Sequence, residues 1–305
     1  MVEAVCRFSD NAGMENWRLI DGFNMAFRAF HAMPDLIRSD GFPTGALHGW
    51  VRTLWKLEDL EGSAQTAVFF DLGGSARHRA LLPEYKAQRA SMPEAMRLQL
   101  PLLKELTCLM GYRLVEREGV EADDLIASAA AWLRPRAQKI SIVSSDKDFG
   151  QLVGGNLEQI LPPPTANPKL GWRHLDEAGV HAKFGVPPNL IVDYLALMGD
   201  TSDNIAGIEG VGPKTAVKWL LEYGSADELI KKWNWVKPER FRLVLNHSRE
   251  LLARNLELVR LKQDYDVADL LLNQRNADAK GLEQFFENYE MKASAREVQK
   301  RYLML

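Results

Sequence analysis

Short apolar runs alternate with longer amphipathic stretches through the first half of the chain. Residues 17–20 (WRLI), 66–70 (TAVFF) and 139–143 (KISIV) are brief and rich in β-branched and aromatic side chains, and they predict buried strands. Between them, residues 45–60, 93–110 and 122–133 repeat apolar positions at helical spacing. Strands that alternate with helices predict an α/β fold. Its central sheet is mostly parallel, with helices on both faces.

Each predicted strand runs into an acid: Asp21, Asp71 and Asp146. In open parallel sheets the ligand site lies beyond the carboxyl ends of the strands. Six further acids sit close by in the pattern. Glu121, Asp123 and Asp124 open the helix at 122–133, Asp148 completes a DxD with Asp146, and Asp200 and Asp203 lie in the run GDTSDN. Singly, each has a bland explanation: acids cap helix N-termini, and DxD or polar runs occur in surface turns. Glu121 and Asp124, three apart, share a helix face. Gathered in one place, nine carboxylates repel strongly, and a fold holds them by raising their pKa values or by binding cations. Such an all-oxygen set suits Mg²⁺ or Mn²⁺ and phosphate chemistry.

A second unit starts near Trp172, after a stiff loop at Pro162, Pro163 and Pro164. Residues 190–198 are helical and Gly199 ends them. The run at 207–216 (GIEGVGPKTA) has three glycines for a tight hairpin and Pro213 for the first position of a helix at 214–223. The free amides of that helix could cradle a phosphate beside Lys214 and Lys218. This pattern resembles a helix–hairpin–helix grip on a nucleic-acid backbone. From about 231 the chain is polar and helical, with 238–261 predicted as one long amphipathic helix. Trp233 and Trp235 read as a packed core edge in preference to a base-stacking pair. The resulting division is a poorly ordered lead-in at 1–16, an α/β unit at 17–171 and a helical unit at 172–305. The hairpin element falls at about 190–223.

The 305 residues are 46% hydrophobic and 26% charged, the composition of an ordinary globular chain, and no run approaches the ~20 apolar residues of a membrane span. The lead-in lacks a secretion signal, and Met14 reads as an alternative start just before the first strand. The two cysteines, Cys6 and Cys108, have no zinc or disulfide spacing, which leaves the cytoplasm as the default compartment. A net charge of −3 argues weakly against nucleic acid, but without the nine acids it becomes +6. Arg77, His78, Arg79, Lys86 and Arg89 also cluster within thirteen positions.

In this order, LIDG with Arg28, FFD at 69–71, Arg77 with His78, Tyr85-Lys86 with Arg89, the acids from Glu121 to Asp124, the DxD, the acidic run at 199–204 and the hairpin at 207–216 resemble the 5′ nuclease family. That family includes the 5′–3′ exonuclease domain of bacterial DNA polymerase I, phage 5′ nucleases and flap endonucleases. Residues 290–294 (EMKAS) are loosely similar to the end of the polymerase-linked domain. The resemblance implies a PIN-like core with a helical arch at about 77–100. It implies two Mg²⁺ ions, replaceable by Mn²⁺: Asp21, Asp71, Glu121, Asp123 and Asp124 form a tighter site, and Asp146, Asp148, Asp200 and Asp203 a second. Asp21, Asp71 and Asp146 with Lys86 and Arg89 carry catalysis, the two cations holding the scissile phosphate and its developing charge. Arg28, Arg77, Tyr85, Gly207, Gly210, Gly212, Lys214, Thr215 and Lys218 contact DNA, and K⁺ is implied at the hairpin. Phe27 departs from the family, standing where an aromatic with a hydroxyl is frequent. The implied substrate is DNA with a 5′ flap, nick or free 5′ end, with RNA primers compatible, and the chain is a monomer. It is either a standalone nuclease or a piece of a longer chain. Two other readings are a non-catalytic binder of branched DNA and an RNA-directed nuclease. Nine carboxylates that repel phosphate disfavour the first, and a duplex-gripping hairpin disfavours the second.

Overall fold

The computed structural model describes residues 14–273 and 276–303. The lead-in expected at 1–16 lies outside the described residues up to residue 13, and Asn16 already belongs to a strand. Among the described residues the main sheet has six strands: β1 (Asn16–Asp21), β2 (Gln65–Phe69), β3 (Arg113–Val115), β4 (Lys139–Val143), β5 (Leu157–Leu161) and β6 (Arg173–Leu175). Their order is β3-β2-β1-β4-β5-β6, all parallel except β6, which runs antiparallel to β5. The sheet therefore continues past the boundary expected after residue 171: the extended backbone of Arg173–Leu175 hydrogen-bonds back onto β5. A two-stranded ribbon, β7 (Gly199–Asp200) with β8 (Ile205–Ala206), stands apart.

The helices are α1 (Gly22–Ala32), α2 (Gly45–Glu61), α3 (Ala76–Leu81), α4 (Glu94–Leu109), α5 (Ala122–Leu133), α6 (Glu177–Phe184), α7 (Ile191–Met198), α8 (Pro213–Tyr223), α9 (Ala226–Lys231), α10 (Arg240–His247), α11 (Arg249–Val259), α12 (Ala268–Leu272), α13 (Ala279–Asn288) and α14 (Lys292–Val298). None of them is long and apolar enough to cross a membrane.

Successive strand residues point to opposite faces, and this divides the core in two. Leu19, Ala67, Phe69, Ile140 and Ile142 pack against α5 and against the helices from α7 to α11. Ile20, Val68, Val143 and Ile160 pack against Met25 of α1, Trp50 and Leu54 of α2, Leu103 and Leu106 of α4, Phe286 of α13 and Val298 of α14. Burial on both faces explains why the central strands read as unbroken apolar runs.

Two expected helices differ. Residues 238–261 are not one helix: α10 ends at His247 and α11 starts at Arg249. Asn246, His247 and Ser248 are weak helix formers clustered at that break. The arch expected at 77–100 is helical only at its two ends. Pro83 forces Leu82 into an extended conformation, which stops α3 at Leu81, and residues 83–88 run as successive turns. Trp233 packs partly buried against the core as expected, whereas Trp235 is 71% exposed.

Candidate active site

Asp21 closes β1 and caps α1. Its Oδ1 accepts from Asn24 N (3.1 Å) and its Oδ2 from Ser144 Oγ (2.7 Å). Gly22 makes this turn feasible, since a Cβ there would sit 2.5 Å from the Phe69 carbonyl oxygen. Burial pushes the Asp21 carboxyl up to about 7, with Asp146 and Asp71 adding to the rise against the Asn24 and Ser144 hydrogen bonds.

Asp71 lies just beyond β2, and its Oδ1 accepts from Ala122 N (2.6 Å), one of the free amides at the start of α5. Burial raises its pKa, and Glu121 adds to the rise. Glu121 is the residue before α5. Asp123, two residues further, is half-buried. Burial, then the charges of Asp146 and Asp21, hold its pKa well above the carboxylate range.

The DxD follows β4 in a turn. Asp148 opens a short 3₁₀ turn (Asp148–Leu152), and its N–H donates to Asp146 Oδ1 (3.0 Å). Both carboxylates stay in the cluster. Burial raises both; the charge of Asp146 raises Asp148 further, while Asp203 and Asp200 raise Asp146 against the hydrogen bond from the Asp148 amide. Asp200 and Asp203 complete it from the loop joining β7 and β8. Burial opposes Asp200's charge, but hydrogen bonds from Ser202 and from Lys147 Nζ (2.9 Å to Oδ2) leave its pKa below normal.

Three cations enter this acidic ground. Lys86 Nζ donates to Glu121 Oε1 (2.7 Å), Arg89 Nη2 to Asp203 Oδ1 (2.6 Å), and Lys147 holds Asp200. Lys86 adopts φ +57°, a conformation rare outside glycine, and its N–H donates to the Asp203 carbonyl (3.1 Å). Asn204, also at positive φ, donates from Nδ2 to the Glu84 carbonyl (2.9 Å). The turn at 84–89 is thereby stitched onto the loop carrying the last two acids.

Four expected site residues are engaged differently. Asp124 is 1% exposed, and its Oδ1 accepts from Lys262 N (2.8 Å) while Oδ2 lies 3.6 Å from Arg77 Nη1. The helical turn of about 100° per residue separates it from Asp123, although the charge of Glu121 still bears on it. Arg77 donates to the backbone carbonyls of Glu257 and Arg260 and is committed inside the protein. Arg28 donates to the Pro163 carbonyl. Tyr85 stacks on His78 at 4.6 Å, and its hydroxyl donates to Glu121 (3.1 Å) and Asp203 (3.0 Å), so its ring is not free to receive a base in this arrangement.

The sequence reading gave no role to Ser144, Lys147 or Gln159. Gln159 is 0% exposed in β5, and its Nε2 donates to the carbonyls of Ser144 (2.9 Å) and Asp146 (2.6 Å), which fixes the loop that presents the DxD. The available signal was a glutamine inside an apolar strand, where a buried amide needs partners.

In the hairpin, Gly199 (φ +69°) and Gly207 press backbone on backbone: a Cβ on Gly207 would lie 2.2 Å from the Met198 carbonyl oxygen. Gly210 also takes positive φ (+73°), while Gly212 faces open space before Pro213 at the start of α8. Lys214 and Lys218 are exposed there and Thr215 half-buried, leaving the helix N-terminus accessible to an anion.

Five chain segments thus bring eight carboxylates to the carboxyl edge of a parallel sheet. Their oxygens outnumber nearby donors: Asp148 Oδ1 is buried without a hydrogen-bond partner, and burial raises Asp21, Asp71, Asp123, Asp146 and Asp148 alike. Such a set fits hard divalent cations. With a helix–hairpin–helix alongside, the arrangement suits metal-assisted chemistry on a phosphodiester backbone.

Comparison with known proteins agrees. Residues 16–185 match the family model for the 5′-3′ exonuclease N-terminal resolvase-like domain, and residues 186–284 match that for the 5′-3′ exonuclease C-terminal SAM fold. The chain is 37% identical over 289 residues to a 5′-3′ exonuclease of Aquifex aeolicus, covering 94% of this chain and 96% of the relative. It is 37% identical over 275 residues to the thermostable DNA polymerase I of Thermus filiformis, covering 89% of this chain but 32% of the polymerase. Among solved structures, T5 5′-exonuclease with bound zinc superposes with a TM-score of 0.68 at 24% identity, covering 93% of this chain and 98% of that one. The catalytic core of Rad2 in complex with DNA substrate superposes with a TM-score of 0.63 at 15% identity, covering 93% and 90%. The chain belongs to the 5′-3′ exonuclease family, hydrolytic nucleases that act on DNA.

Proposed function

We propose that this chain is a structure-specific 5′ nuclease that cuts DNA at 5′ flaps, nicks or free 5′ ends with two Mg²⁺ ions, for which Mn²⁺ can substitute. The observation that carries this is the convergence of eight carboxylates beneath a basic turn, beside an open helix N-terminus. Asp21, Asp71, Glu121 and Asp123 would hold one ion, and Asp146, Asp148, Asp200 and Asp203 the other. Bound there, the ions supply an acidified water and positive charge at the phosphoryl oxygens. Lys86 and Arg89, within reach of the same acids, hold the scissile phosphate and its growing charge. The α8 N-terminus, with Lys214, Thr215 and Lys218, grips the duplex backbone. A K⁺ ion at the 207–212 hairpin rests on the family resemblance alone, as do RNA primers as substrates and a monomeric state, whereas a cytoplasmic state rests on the cysteine pattern.

The deciding assay is cleavage of a 3′-labelled 5′-flap duplex with Mg²⁺ and with EDTA. Cuts at the flap base that vanish with EDTA support the proposal and its endonucleolytic mode, whereas a ladder of short steps indicates exonuclease action. Tight flap binding with no cutting in Mg²⁺ or Mn²⁺ would instead favour a binding module. In the same assay Lys86→Ala is expected to lower turnover by ~10²-fold with little change in substrate affinity. A loss confined to affinity would make Lys86 a positioning contact only.

A further inference from the structure

The last turn of α11 and the irregular chain after it form a strap, residues 257–266, whose backbone groups are satisfied one after another by side chains of the nuclease half. Arg77 donates to the carbonyls of Glu257 and Arg260, His78 Nε2 lies 3.0 Å from that of Leu258, and Gln151 Nε2 donates to that of Val259 (3.0 Å). Gln151 Oε1 then accepts from Leu261 N (3.0 Å), and Asp124 Oδ1 from Lys262 N (2.8 Å). Ser128 Oγ, which donates to the Asp124 carbonyl (2.8 Å) and lies 3.2 Å from that of Lys262, accepts from Tyr265 N (3.2 Å), and Arg117 donates to the carbonyl of Asp266. The free carbonyls of a helix C-terminus normally need caps or water. Here the side chains that cap them come from α3 and the turn after β4, and α5 meets the chain beyond; these segments lead into the basic turn or bear metal-site acids.

Just before the strap, α11 also holds the loop of the remaining acids. Asn255, fully buried, donates from Nδ2 to the carbonyls of Ala196 (3.0 Å) and Ala206 (2.7 Å), at the two feet of the loop that carries Asp200 and Asp203.

We infer that Asp124 is a positioning residue that anchors the 257–266 strap, and that the strap, through α11 and Asn255, sets where Asp200 and Asp203 stand relative to the acids on β1, β2 and α5. The inference rests on the metal-site reading above for the role of those acids. The Lys262 amide occupies Oδ1, so a metal would have to compete with Arg77 for Oδ2 and draw the carboxylate from the buried Arg77 Nη1. Its neighbour Asp123 has no such commitment. The charge on Asp124 also has a local use, because Arg77 delivers its other nitrogen to two strap carbonyls while facing this carboxylate.

The test compares Asp124→Asn, Asp124→Ala, Ser128→Ala and Asp123→Asn in the full chain. Mn²⁺ alone is titrated by calorimetry without DNA, and amide hydrogen exchange is followed over 257–266. Asp124→Asn keeps an acceptor for the Lys262 amide and is expected to bind Mn²⁺ within ~3-fold of the parent, whereas Asp123→Asn weakens it by ~10-fold or more. Asp124→Ala and Ser128→Ala are expected to speed exchange in the strap by ~10-fold or more. Ser128→Ala, which touches none of the eight clustered acids, is also expected to raise the Mg²⁺ concentration for half-maximal cleavage by ~3–10-fold. If Asp124→Asn weakens Mn²⁺ binding as much as Asp123→Asn does, while strap exchange stays unchanged in Asp124→Ala, the anchor role is overturned. A loosened strap with an unchanged Mg²⁺ requirement in Ser128→Ala would overturn the coupling to Asp200 and Asp203. The exchange arm uses no metal, so it decides the anchor even if the metal reading itself fails.

Discussion

Asp146→Ala is expected to lower flap cleavage by ~10³-fold or more while leaving DNA binding intact or tighter. Asp146 sits at the centre of the acidic cluster: its charge bears on Asp21, Asp123 and Asp148, and the Asp148 amide donates to it. Removing it takes a carboxylate from between both groups of acids and frees the Asp148 N–H. The α8 N-terminus and the basic turn are untouched, and one negative charge fewer faces the phosphate. Gel-shift affinity with single-turnover cleavage separates the two effects. Cutting at the parental rate would refute the metal-site assignment. Because the lost carboxylate is one of several buried like charges, the variant should also be no less stable than the parent in EDTA.

In EDTA, the melting temperature is expected to fall as pH rises from 5 to 8, and Mg²⁺ is expected to restore it most at pH 8. Asp21 moves from an ordinary 3.8 to about 7 on folding, first through burial and then through Asp146 and Asp71. Between those values the folded chain binds more protons than the unfolded one, so stability is lost as pH rises. For Asp21 alone the full span corresponds to about 4 kcal/mol. Asp71, Asp123, Asp146 and Asp148 shift in the same direction. Carboxyls held low, such as Asp200, titrate below this window, and His48, lowered by burial and then by Arg52, acts in the opposite sense. Calorimetry at both pH values, with and without Mg²⁺, checks this. A melting temperature that holds level or climbs from pH 5 to 8 in EDTA would show that the acids are not strained together.

The central strands were legible because both faces of β1, β2 and β4 are buried, which leaves continuous apolar runs ending in acids. The other three strands were not. β3 is only Arg113–Val115, β5 contains Glu158 and Gln159, and β6 is a polar edge strand. Eight of the nine acids meet where the strand ends put them. The ninth could not be sorted by residue type, because Asp123 and Asp124 are the same residue side by side and only the helical turn separates their surroundings. Arg77 shows the same limit: a basic side chain near a phosphate site looks like a DNA contact until the carbonyls it already serves are seen. The segment between Pro83 and Pro93 carried a correct boundary but no signal for the positive φ at Lys86, which depends on contacts more than a hundred residues away.

The second face of the sheet is sealed by α13 and α14, whose Leu282, Phe285, Phe286, Met291 and Val298 share one buried cluster with Ile20, Trp50 and Phe70. The first strand and the last described helices are therefore neighbours in space although they stand at opposite ends of the covalent chain. Sequence order separates a nuclease half from a DNA-gripping half, but cooperativity does not respect that line. A fragment stopping near residue 171 would bare an aromatic face and aggregate. The intact chain should melt in a single transition, with its two halves gained or lost together.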